Sequence, residues 1–165
     1  MKKPVVKKIL RKPIVKNILS ALAVAVFGFI LLNLAFIFDA LFQNVVKRFL
    51  RLFTSTDLNM AYNWYPPTMH ATFVVIICLI SWPVFRSKLG TLYKATYMTV
   101  PLAVVFVTLG ISFYRRPAIA YALGGLFGIG VLYYLYRTKK PWLYYYALIL
   151  IGLVMLMVGL FKIEI

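Results

Sequence analysis

An all-α fold is predicted for this chain, a polytopic membrane bundle of five transmembrane helices with the N-terminus inside. Composition is the first reason. Of 165 residues, 64% are apolar and only 13% are charged, about half the charged share of a typical soluble domain. A soluble domain of this size has no interior able to hide so much apolar surface. The second reason is patterning. The apolar residues fall into five runs, approximately Ser20–Phe42, Thr68–Phe85, Ala95–Tyr114, Ala118–Tyr136 and Trp142–Phe161. Each has roughly 18 to 23 residues, and about 20 in a helix cross the hydrocarbon. Lipid offers no partner to free backbone groups, and no period-two alternation indicates a barrel, so the runs are helices.

Charge gives the third reason. The net charge of +16 arises from 19 basic residues against Asp39, Asp57 and Glu164. The basic residues flank the apolar spans, an arrangement selected by anionic lipid and membrane topology rather than by nucleic acid. With the N-terminus inside, the inner segments hold 13 basic residues and the outer segments 6. The positive-inside rule therefore predicts a multi-pass protein of the cell membrane with a cytoplasmic N-terminus.

Residues 1–19 read as a basic leader and 20–165 as the transmembrane domain. The leader is a tandem nonapeptide, KKPVVKKIL followed by RKPIVKNIL. Proline suits a first helical turn, so each copy is either a short amphipathic turn on the membrane surface or part of a disordered cationic leader. Nine residues make a poor independent helix, which favours the latter. The first apolar run is too long for a cleavable signal and lacks a small-x-small exit, so it reads as a retained anchor.

Asn33 and Asp39 stand on the outer half of that run. A carboxylate at this depth is costly unless it faces protein, water or a cation, or sits at the level of the headgroups. Next, NVVKRFLRLF places Val46, Phe49, Leu50 and Phe53 on one helical face and Lys47, Arg48 and Arg51 on the other. This predicts a short helix lying flat in the interface. The polar TSTDLNMAYNWYPP follows, with Trp64 and Tyr65 suited to the boundary. The second span then opens through Pro67, Thr68, Met69 and His70, the single histidine of the chain.

Pro101 should kink the third span, because its ring removes a backbone bond. Ala120, Gly124 and Gly128 recur every four residues, a ladder that admits a neighbouring helix closely. It serves internal packing or meets a membrane protein partner. Tyr133, Tyr134, Tyr136, Trp142 and Tyr144 to Tyr146 form an aromatic collar at the inner boundary and support a turn at Arg137–Pro141.

Chemistry is sparse. The lone Cys78 lies inside a span and excludes disulfide frameworks and cysteine metal sites. Three carboxylates are too few for a paired acid/base or two-metal site. One histidine and one cysteine build no zinc or haem site, and no glycine-rich phosphate loop is present. No cofactor, no metal and no nucleic-acid partner are expected. What remains is an outer mouth. His70, the Arg115–Arg116 pair and Lys47, Arg48 and Arg51 all fall on one side of the predicted topology. Arginine forks bind phosphate through paired charge-assisted bonds, and a helix start favours anions. The mouth is expected either to hold an anionic lipid headgroup or to anchor topology through ordinary lipid phosphates.

The segment PPTMHATF resembles the P-S-x-H-A segment of the type-2 phosphatidic acid phosphatase superfamily, with Pro67, Thr68, His70 and Ala71 matching and threonine in place of serine. In that family the segment opens a span on the outer face, and its histidine protonates the leaving oxygen. The stretch TLGISFYRRPAIAYALGG, Thr108 to Gly125, is similar to the family's third segment, which joins two spans on that face. Together these cover Lys47 to Gly128. The sequence departs where the family carries an arginine, a nucleophilic histidine and an orienting aspartate; Gly110, Arg116 and Ala120 stand there. A phosphohistidine intermediate needs a nucleophile, and there is no second histidine. The resemblance therefore implies a phosphatase-like outer mouth that binds an anionic headgroup without hydrolysing it. The alternatives are a non-catalytic subunit or transporter component of a membrane complex, or an active lipid phosphatase with His70 as its catalytic residue.

Overall fold

The computed structural model describes residues 5–52 and 65–160. Among them are five helices and no strand: α1, Val5–Arg51; α2, Tyr65–Arg86; α3, Thr91–Ser112; α4, Pro117–Arg137; and α5, Trp142–Leu160. All five are long and apolar enough to cross a membrane. The expected all-α, five-span architecture is thus present.

The first helix departs from expectation. Its 47 residues take in most of the basic leader, the first span and the stretch expected to lie flat. Residues 5–19 are helical rather than disordered, and Asn44–Arg51 continues the span rather than forming a separate helix. The physical reason is cooperative: extending an existing helix needs no new nucleus. No glycine or proline stands between Gly28 and Arg51 to interrupt it. The TSTDLNMAYNWYPP segment with Trp64, expected at the boundary, lies outside the described residues up to that tryptophan.

Helix α3 is the hub. It packs against each of the other four helices. Within its span 44% of residues are buried, against 11% for α4. Between lipid-bathed helices there is no hydrophobic force, so small side chains that allow close approach decide which faces meet. Helix α3 presents Ala95, Thr96, Thr99 and Ala103, all buried. Opposite Thr99 lies Gly28 of α1; a Cβ there would sit 3.0 Å from the threonine methyl. The two helices touch where neither has bulk.

Two apolar clusters lie along α3. The larger joins Val24 and Leu32 of α1 with Ala95, Met98, Leu102 and Ala103 of α3, and extends to Leu135, Leu143, Tyr144, Ala147, Leu148 and Ile151. The smaller joins Ala35 of α1, Phe73 and Ile77 of α2, and Val100 and Val104 of α3. Hydroxyls buried in these layers bond within their own helix, Ser81 donating to Ile77 O at 2.6 Å and Thr99 to Thr96 O at 2.7 Å. That removes the cost of a free hydroxyl in an apolar layer.

The predicted turn between α4 and α5 is present. Helix α4 ends at Arg137 with Thr138 as its C-cap, and Lys139 adopts a left-handed φ of 48°. Helix α3 runs through Pro101 and α2 through Pro83. At the C-terminus of α2, the Lys94 ammonium donates to Phe85 O at 2.8 Å and Ser87 O at 2.7 Å. A cation there answers both the free carbonyls and the negative end of the helix dipole. In the small-residue ladder, Gly124 rests against Phe106 of α3, whereas Gly128 has open space where a Cβ would stand.

Gly28→Val should overpack the α1–α3 contact and cost about 1–3 kcal/mol, read as a lower unfolding midpoint in detergent. Gly125→Ala, which meets nothing within 4 Å, should leave the midpoint within error of wild type.

Candidate functional site

The latter part of α1 and the first turns of α2 meet at the smaller cluster, against Val100 and Val104 of α3. On α1, Ala35, Asp39 and Phe42 recur at intervals of four and three. On α2, His70, Phe73 and Ile77 recur at three and four. Both series are helical faces. Ala35, Phe73 and Ile77 already meet in the smaller cluster, and one turn further along α1 Asp39 meets His70.

The His70 Nδ1 lies 3.3 Å from Asp39 Oδ2. The distance suits an ion pair and is long for a hydrogen bond. Gln43, one turn along α1, donates its amide to the same Oδ2 at 2.9 Å. The other carboxylate oxygen, Oδ1, is buried without a hydrogen-bond partner. Asp39 is buried as a whole, and the imidazole keeps 17% of its surface open. Beside the pair is an aromatic layer: the rings of Phe38 and Phe42 lie 6.0 and 6.2 Å from that of Phe73. Asp39 is turned into the protein and answered by two side chains. Asn33, its companion in the sequence reading, is exposed and donates to Phe29 O at 2.8 Å.

The five cations of the expected mouth are placed differently. Arg48 and Arg51 are exposed near the end of α1, and Lys47 is half-buried. Arg115 and Arg116 are exposed in the four-residue turn between α3 and α4, where Arg116 is the N-cap and Pro117 the first residue of α4. Proline suits that position, since its missing N–H would be unpaired in any case. Among the described residues, none of the five side chains has a hydrogen bond or ion pair. His70 is brought to Asp39, and it forms no hydrogen bond with either arginine.

Cations elsewhere lean on the protein. Besides the Lys94 cap, the Arg86 guanidinium lies 4.3 Å from the centre of the Trp82 ring, and Lys140 Nζ lies 5.9 Å from that of Tyr144. These are cation–π distances. Among the described residues, no three histidine, cysteine or acidic side chains converge as metal ligands would.

Comparison with known protein families, curated proteins and solved structures finds no match to this chain.

Removing one partner of a buried pair strands the other, whereas replacing both with apolar groups does not. His70→Leu alone should cost about 3 kcal/mol in unfolding free energy. The Asp39→Leu/His70→Leu double variant should recover most of that loss. Additive effects in a double-mutant cycle would show that the two residues do not act as a unit.

Proposed function

We propose that this chain is an integral membrane protein that holds anionic lipid headgroups at the end where α1 finishes and α2 begins, without hydrolysing them. One observation carries the reading. Lys47, Arg48 and Arg51 stand near the end of α1 and Arg115 and Arg116 in the turn between α3 and α4, with no carboxylate among the described residues to answer them, since Asp39 is engaged with His70. Cations on the rim of an apolar bundle face lipid phosphates, and each basic residue near an anionic surface contributes about 1 kcal/mol. The adjacent arginines offer planar forks to a phosphate that lysine does not.

His70 has a lesser part in this reading than the sequence alone implied. Its Nδ1 faces a carboxylate, and a carboxylate beside it repels a phosphate. The resemblance to lipid phosphatases adds a leaning toward phosphorylated lipids, and the missing second histidine argues against a covalent phosphoenzyme.

Purified protein in nanodiscs should retain phosphatidic acid or phosphatidylglycerol over phosphatidylcholine. Arg115→Gln/Arg116→Gln should weaken that preference by about fivefold per charge removed, and added salt should weaken it further. Equal retention of neutral and anionic lipid by the wild type would sink the proposal. Incubated with phosphatidic acid or isoprenyl diphosphates, the protein should release no phosphate. Release abolished by His70→Ala would replace binding with catalysis.

A further inference from the structure

Asp39 Oδ1 is sealed inside the protein with no donor. An acceptor left so is costly, and more so if it carries part of a full charge. Among the described residues, the surroundings supply no counter-ion besides His70. On α1, the ionisable residues nearest Asp39 are Lys16 and Lys47, the latter about two turns nearer the helix end. On α2, the other such groups before Arg86 are Tyr65, the first residue of the helix, and Cys78, about two turns deeper and exposed. Helix α3 faces this layer with Val100 and Val104 and has no ionisable side chain between Tyr97 and Tyr114. Among the described residues, His70 is the one ion-pair partner of Asp39, and Gln43 is its one hydrogen-bond donor.

Three proton counts are open to such a pair. With none, the carboxylate charge stands alone; with two, the imidazolium charge does. With one, the pair is neutral, as acid facing imidazole or as carboxylate facing imidazolium. In an apolar layer the neutral count avoids an uncompensated charge. A proton is also the one positive ligand that needs no cavity. We propose that Asp39 and His70 form an intramembrane proton-binding site that holds one proton between them. Gln43, donating to Oδ2, is a positioning residue that keeps the carboxylate turned toward His70. The partly open imidazole is the route by which the proton exchanges with the outside of the bundle. The proton belongs to the pair rather than to either group alone. None of this rests on headgroup binding.

The single histidine makes the test direct. Full-length protein in nanodiscs, labelled with 15N in the imidazole, gives one pair of ring resonances to follow against pH. Asp39→Asn should move their midpoint by about one pH unit or more, while Asp39→Glu, which keeps the acid, should retain the coupling. A midpoint indifferent to Asp39→Asn would overturn the proposal. Should Asp39→Asn fail to fold, His70→Gln answers from the other side. In an Asp57→Asn, Glu164→Gln background Asp39 is the one side-chain carboxyl, so its acid carbonyl band can be followed by infrared spectroscopy. His70→Gln should move the pH at which that band titrates by a similar amount. No movement would refute the shared proton.

Discussion

The close approach of α1 to α3 at Gly28 and Thr99 is the contact on which the arrangement depends. Lipid tails are as apolar as the side chains they surround, so helices gain little from excluding them. They gain from dispersion at short range and from satisfied polar groups. A glycine on one helix and a buried threonine on the other bring the two within van der Waals reach. The threonine hydroxyl turns back to its own backbone, so this closeness strands no polar atom. With α1 seated there and α2 seated along the same helix, Ala35, Phe73 and Val104 share one layer.

The polar pair is a consequence of that seating. Helices α1 and α2 touch one another sparsely and owe their relative position mainly to α3. Asp39 and His70 therefore meet because a third helix sets both registers, one turn beyond the shared apolar layer. The chain has only three acidic residues against 19 basic ones. One of the three is committed to an inward-facing pair, and among the described residues the cations near this end, Arg48, Arg51, Arg115 and Arg116, have no carboxylate partner. Inward neutrality and outward charge arise from the same placement.

The spans were legible because hydropathy over about 20 residues is a strong signal, and four of the five helix boundaries fall within a few residues of those expected. Helix α1 was misread at both ends, since its leader and its basic tail look unlike a span when taken alone. Composition described their environments; connectivity decided their conformation. The packing hub was harder to see. The regular ladder of Ala120, Gly124 and Gly128 drew attention, yet only Gly124 of its glycines meets another helix closely. Gly28 is isolated in sequence and carries no pattern. The charged rim could be gathered from topology, whereas the pairing of Asp39 with His70 depends on rotation about two helix axes. A weak trace existed in the matching periods of Ala35, Asp39 and Phe42 and of His70, Phe73 and Ile77.

Helix α1 has a mechanical consequence. Its 47 residues make a rod of about 70 Å, more than twice the roughly 30 Å thickness of a hydrocarbon layer. It cannot be contained by the bilayer at any tilt that keeps its span apolar. From Gly28 to Arg51 no flexible residue interrupts it. Arg48 and Arg51 therefore stand on the same unjointed lever arm as Asp39, with the glycine contact at its other end.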